Sequence, residues 1–122
     1  MLSSKQKIGK EIENLACAYL QQRGLRLIVA NYPCKVGEVD LIMSDDQTLV
    51  FIEVRYRKNF NYGDGAATVD KNKQRRIIKA ATYYLQERNL YDKVLCRFDI
   101  VAVSGVSKYE LDWIKDAFWV KW

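Results

Sequence analysis

A mixed sheet packed against two helices, an α/β chain of the α+β kind, is the fold this sequence predicts. Three observations predict it. Two stretches place apolar residues at helical spacing. Five short runs have the length and composition of strands, two of them split by a polar turn. The second helical stretch falls between two groups of strands, so the order reads αβββαββ and a helix crosses from one strand to another.

The first helix opens at Ser3-x-x-Gln6, a capping-box pattern. Ile8, Ile12, Leu15, Tyr19 and Leu20 then recur on one face up to Gly24, which offers the C-terminal cap. A strand is expected over Arg26 to Asn31. Two more, Val39–Met43 and Leu49–Arg57, flank Ser44-Asp45-Asp46-Gln47 as a β-hairpin. Residues 59–67 contain Gly63-Asp64-Gly65 and read as a loop; the Lys-Ser/Thr of a phosphate loop is missing. A second helix runs from about Asp70 to Arg88 with Ile77, Ile78, Ala81, Tyr84 and Leu85 as its apolar stripe. Leu95–Ser104 and Glu110–Trp119 complete the strands.

At 122 residues, with one proline and six glycines, the chain reads as a single domain over residues 1–122 with no linker. Such a length buries roughly two thirds of the unfolded surface. The N-terminus MLSSKQKIGKEIE has no apolar core, so neither a signal peptide nor a membrane span is expected. Three widely spaced cysteines and no histidine argue against a disulfide framework and against a zinc site of the usual kinds. A reduced, cytoplasmic protein with buried or inert thiols is the expectation. Twenty Lys and Arg against fifteen Asp and Glu give +5, which suits an anionic partner without requiring one.

The hairpin carries the functional signal. Each of its apolar runs holds an acid where a buried strand is normally apolar: Asp40 in the first and Glu53 in the second. Alternation puts Glu38, Asp40 and Ile42 on one face, and Phe51, Glu53, Arg55 and Arg57 on one face of the partner. With the turn centred between Asp46 and Gln47, positions whose numbers sum to 93 lie opposite each other. Asp40 then faces Glu53 with Cβ atoms roughly 5 Å apart. Two like charges so placed need a cation, supplied either by Arg55 or Arg57 or by a divalent metal.

Asp, about a dozen residues, then Glu-x-Arg on adjacent strands resembles the metal site of the PD-(D/E)XK nucleases, the restriction-endonuclease-like superfamily. More narrowly, the chain resembles the YraN-like family, an uncharacterised bacterial group within it. The resemblance runs from Gly9-x-x-x-Glu13-x-x-Ala16 through Asn31-Tyr32, Gly37-Glu38-Val39-Asp40-Leu41-Ile42 and Val50-Phe51-Ile52-Glu53-Val54-Arg55. It continues with Lys73 and Arg97-Phe98-Asp99-Ile100-Val101. It implies a restriction-endonuclease-like core, a central mixed sheet flanked by the two helices. It also implies a nuclease that hydrolyses DNA phosphodiesters with Mg²⁺ or Mn²⁺, branched or damaged DNA being the substrate class by likeness to small junction resolvases.

Site residues follow from the same resemblance. Asp40 and Glu53 would hold the metal, with the Val54 carbonyl as a further ligand. Glu13 lies on the border of the first helix's apolar stripe beside Gly9, Ala16 and Leu20, small neighbours that would allow close approach to the sheet. Spacing alone favours an ordinary solvated glutamate there; the resemblance makes it the acid that completes the carboxylate set. Oxygen donors suit Mg²⁺ and Mn²⁺, which polarise phosphate and lower the pKa of bound water.

One residue departs from the superfamily pattern. Its third signature position is usually lysine, and this chain has Arg55. Arginine stays charged and cannot serve as a base. Arg55 could clamp a phosphate or stabilise developing charge; it could equally form an ion pair with Asp40 or Glu53 and close the site. Lys73 and Gln74 flank the second helix's apolar stripe and point towards the sheet, so Lys73 could substitute.

On the same helix Lys71, Arg75 and Lys79 recur at i, i+4, i+8 with Arg76 beside them. Such a ridge, with Gln74, could follow a phosphate backbone; a solvated face is the commoner explanation. Asp99 either supports the site or pairs with Arg97. Trp113, Phe118, Trp119 and Trp122 make an aromatic C-terminus expected mainly in the core. The alternative to a nuclease is a catalytically inactive module of the same fold that binds nucleic acid or a protein partner.

Overall fold

The computed structural model describes residues 2–58 and 69–120. Its elements are α1 (Ser4–Gln22), β1 (Arg26–Cys34), β2 (Gly37–Asp45), β3 (Thr48–Arg57), α2 (Lys71–Glu87), β4 (Leu95–Gly105) and β5 (Tyr109–Phe118). The strands form one sheet in the order β1-β2-β3-β4-β5. β3 and β4 are parallel, and the other neighbours are antiparallel. Antiparallel strands can be joined by tight turns, whereas a parallel pair needs a crossover, which α2 supplies. The expected loop over residues 59–67 lies outside the described residues.

Both helices start and stop by local chemistry. Ser3 Oγ accepts the Gln6 N–H at 3.2 Å while Gln6 Oε1 accepts the Ser3 N–H at 2.9 Å, closing the capping box. At the other end Gly24 takes φ 100, and the Gly24 and Leu25 N–H groups donate to the Gln21 and Leu20 carbonyls. α2 repeats the device with Asn89 at φ 56 and the Leu90 N–H on the Leu85 carbonyl at 2.7 Å. Asp70 caps its N-terminus, accepting the Lys73 N–H at 2.8 Å.

The helices cover opposite faces of the sheet. Phe51, Ile42, Phe98 and Ile100 pack with Ile77, Ala81, Tyr84 and Leu85 of α2. Leu41, Met43, Val50, Ile52 and Val101 pack with Ile12, Ala16, Cys17 and Leu20 of α1. Buried on both faces, β2 and β3 read as continuous apolar runs. Phe51 stacks on Phe98 (5.5 Å between centroids) and Phe98 on Phe118 (5.0 Å), which ties β3, β4 and β5 together. Truncating fully buried Phe51 to Ala would cost about 3–5 kcal/mol.

Three expectations are corrected. Ile8 is 39% exposed instead of joining the apolar stripe, and burial on α1 begins only at Ile12. A Cβ at Gly9 would meet nothing within 4 Å, so the close approach falls at fully buried Ala16. β1 runs on past Asn31 to Cys34, because β1 is an edge strand, where Pro33 removes a donor at little cost. No helix among the described residues is long and apolar enough to cross a membrane.

Candidate functional site

The hairpin has the expected register. Leu41 pairs with Ile52 and Asp45 with Thr48 around an Asp46-Gln47 turn, in which Asp46 takes φ 54. Aspartate tolerates that left-handed conformation. One step beyond the last ladder pair, the same register sets Asp40 against Glu53. Both are buried, at 9% and 3% exposure. The backbone N–H of Val54 donates to Asp40 Oδ2 at 2.8 Å, so the carboxylate takes the place of a ladder carbonyl. Burial first, then the Glu53 carboxylate beside it, push Asp40 up to about 9.

Strict alternation breaks at this point. Val39 and Ile42 both pack on the α2 side while Leu41 packs on the α1 side. The β1 pairing places Asn31 opposite Asp40, and Asn31 has φ 54. Glu38 and Asp40 thus keep one face, as alternation puts them, and Ile42 turns to the other. One carboxylate oxygen each from Glu13, Glu38 and Asp40 lie within 4.8 Å of one another. Alternation already sets Glu38 on the face of Asp40; what the sequence reading missed is that Glu38, and not Glu53, joins Glu13 and Asp40 as the third acid. Glu13 is held above the ordinary glutamate range by burial, and the Asn31 amide beside its carboxylate opposes that rise.

Glu53 has its own partners. Lys73 Nζ, at the start of α2, stands 3.4 Å from Glu53 Oε2, and Arg55 Nη1 stands 3.9 Å from the same oxygen. Lys73 therefore points at the sheet as its spacing predicts. Gln74 Nε2 donates to the Val69 carbonyl at 2.9 Å and so braces the start of α2. Lys71, Arg75, Arg76 and Lys79 are exposed along the outside of the helix. At Gly37, with φ 155, a Cβ would come within 3.5 Å of Arg76 Cβ, so the β1–β2 turn packs closely on that ridge.

Glu13, Glu38 and Asp40 offer an all-oxygen donor set of the kind that hard divalent cations take. A cation there would also discharge a buried carboxylate pair that otherwise retains a proton.

The chain matches the family model described as "Uncharacterised protein family UPF0102" over residues 12–103. It belongs to that family. A UPF0102 protein of Coxiella burnetii (strain RSA 331 / Henzerling II) is 50% identical over the full length of both chains. One of Psychromonas ingrahamii is 49% identical over 97% of this chain and 94% of its own. One of Legionella pneumophila (strain Corby) is 44% identical over 93% and 95%. The UPF0102 match spans every candidate acid from Glu13 to Glu53 and the whole of α2.

Away from these acids, the UPF0102 chain is held by a second polar cluster. Asp99, fully buried, accepts from Arg97 Nε (3.1 Å), Trp113 Nε1 (2.9 Å) and the Asp116 N–H (2.9 Å). Arg97 Nη1 reaches on to Asp45 at 2.9 Å. Asp99 is thus the anchor of an ion pair and not a member of the site. A cavity of about 550 Å³ between the end of α2 and the start of β4 is lined by Phe51, Leu85, Phe98, Phe118 and Trp119, and by none of the candidate site residues. The expected aromatic core at the C-terminus holds for buried Phe118, while Trp119 is 73% exposed; Trp122 lies outside the described residues. Cys17 is buried as expected, but Cys96 is exposed.

Proposed function

We propose that this protein is a divalent-metal-dependent nuclease that hydrolyses DNA phosphodiesters, built on the restriction-endonuclease-like PD-(D/E)XK plan. The observation that carries the reading is buried Asp40, set against Glu53 across the hairpin and gathered with Glu13 and Glu38 to within 4.8 Å. Acids so placed destabilise a fold unless a cation compensates them.

Glu13, Glu38 and Asp40 hold Mg²⁺ or Mn²⁺, with Glu53 adjoining. The metal supplies a Lewis acid for the phosphate and lowers the pKa of a bound water. Arg55 stabilises negative charge on phosphate oxygens and takes no proton. Lys73 brings a second cation beside the acids from the start of α2. The positive end of α2, and Gln74 with it, orients the scissile phosphate. Lys71, Arg75, Arg76 and Lys79 then track the backbone, so recognition is by shape and charge. Branched or damaged DNA is the substrate class we favour, with a cytoplasmic place of action.

Cleavage assays on single-stranded, duplex, flapped and four-way-junction DNA test this reading, comparing wild type with Asp40→Asn in Mg²⁺ and Mn²⁺. Metal-dependent cutting that vanishes in the mutant is expected; cutting by both proteins, or by neither, rejects it. One observation favours a second reading, a catalytically inactive binding module: Lys73 and Arg55 already neutralise Glu53. In that case DNA binding survives Asp40→Asn and weakens in Arg75→Ala and Lys79→Ala.

A further inference from the structure

The acids are divided between two kinds of partner. Glu13, Glu38 and Asp40 face one another, and among the described residues Glu53 is not part of that trio. Glu53 instead meets Lys73 at 3.4 Å and Arg55 at 3.9 Å. A metal drawn to Glu53 would have to share its carboxylate with an ammonium, and like charges at such range repel strongly in a partly buried setting.

Lys73 is built to leave. Its backbone N–H is fixed by Asp70 at 2.8 Å, so the start of the side chain is anchored. The side chain itself is 36% exposed and ends on a flexible stem, whereas Glu53 is 4% exposed and fixed in the strand. The same turn of α2 begins the exposed ridge of Lys71, Arg75 and Arg76.

We infer that Lys73 is an exchangeable counter-ion. In the free protein it neutralises Glu53. A phosphate oxygen of bound nucleic acid draws the ammonium away and releases Glu53 to a divalent cation beside Asp40. Metal and nucleic acid therefore bind with positive coupling, each tightening the other by the same factor. This rests on the nuclease reading for the metal centre, and it adds an order: full metal affinity arises only when substrate is present.

Mn²⁺ binding by calorimetry tests it, on wild type and Lys73→Met, with and without a short DNA duplex whose phosphorothioate linkages resist cleavage. Wild type is expected to bind Mn²⁺ about fivefold tighter, or more, when the duplex is added. Lys73→Met alone should already bind at the tighter level and gain nothing from DNA. Lys73→Arg, which keeps a cation on Glu53, and Lys108→Met, which removes an exposed one in the β4–β5 turn, should bind Mn²⁺ alone as wild type does. Unchanged Mn²⁺ affinity in Lys73→Met, or tightening in Lys108→Met to match, overturns the counter-ion role while leaving the metal centre intact. Absence of Mn²⁺ binding in every variant removes the metal centre and the nuclease reading together. Thermal melts confirm that each variant is folded.

Discussion

Lys73 Nζ lies 3.4 Å from Glu53 Oε2, so the first turn of α2 is tied to the strand that carries the more deeply buried of the two hairpin acids. This contact joins the crossover helix to the site. In the nuclease reading proposed above, the lysine that PD-(D/E)XK nucleases usually keep two residues after the strand glutamate would have its charge supplied here from a neighbouring element, while Arg55 occupies the strand position. In the nuclease reading, Lys73→Ala lowers the cleavage rate by about 10²–10⁴. Single-turnover cleavage on saturating DNA measures this, and a rate within a factor of about three would exclude Lys73 from the chemistry.

The pH dependence of stability has a definite sign. Asp40 sits near 9 in the folded protein, above the value of about 3.9 for an unfolded aspartate. The folded state thus keeps a proton that the unfolded chain gives up. The stability this contributes is full below about pH 4 and is lost as the pH rises through the folded value near 9. Metal-free protein should lose at least about 1 kcal/mol between about pH 5 and pH 8 in urea titrations. Asp40→Asn should flatten that slope, and millimolar Mg²⁺ should flatten it in wild type, since the ligand form is deprotonated. A flat metal-free profile in wild type would contradict the account.

Asn31 should separate geometry from chemistry. Its φ of 54 suits glycine and strains alanine. Asn31→Ala is expected to cost about 1–2 kcal/mol in denaturant melts. Asn31→Gly should be close to neutral in stability, yet it removes the amide that restrains the rise of Glu13. Mn²⁺ affinity should then fall in Asn31→Gly and fall further as the pH is lowered. Equal Mn²⁺ binding in wild type and Asn31→Gly would show that the amide plays no part.

Asp99→Ala should destabilise the fold by about 3 kcal/mol, because it strips the mostly buried Arg97 of its fully buried partner and leaves Trp113 Nε1 without an acceptor. Asp45→Ala should cost less, about 1 kcal/mol at most, since Asp45 is a third exposed. Chemical denaturation gives both values. The reverse ranking would misplace the anchor of the cluster.

Much of this site was legible because short-range rules dictate it. A two-residue turn between two apolar runs sets the pairing, so the opposition of Asp40 and Glu53 follows from the turn alone. The helical step that lines up Ile77, Ala81 and Tyr84 also aims Lys73 at the sheet. The two-residue period also sets Glu38 beside Asp40, although the sequence reading did not count it among the ligands. What was not legible is the break that turns Ile42 away from these acids, which falls beside a left-handed Asn31 on the neighbouring strand, a tertiary effect. Gly9 misled for a similar reason. Helix spacing gives the face a residue is on but not where along the helix burial begins, and on α1 it begins only at Ile12. The hydrogen bonds that satisfy Asp99 come from Trp113 and Asp116 on the following strand, across a register shift, and leave no local trace beyond Arg97.

The basic ridge has its own signature. Arg75→Ala and Lys79→Ala should each weaken DNA binding uniformly across sequences and reduce the slope of log affinity against log salt by about one. Fluorescence anisotropy at several salt concentrations measures both. Slopes that stay at the wild-type value would mean that α2 faces solvent and not phosphate.

The most direct measurement is the anomalous diffraction of crystals soaked in Mn²⁺. The account predicts a single strong peak bounded by the carboxylates of Glu13, Glu38 and Asp40, lost in Asp40→Asn crystals of the same form. A carboxylate trio without density at saturating Mn²⁺, or a peak that survives Asp40→Asn unchanged, would contradict a metal centre at this hairpin.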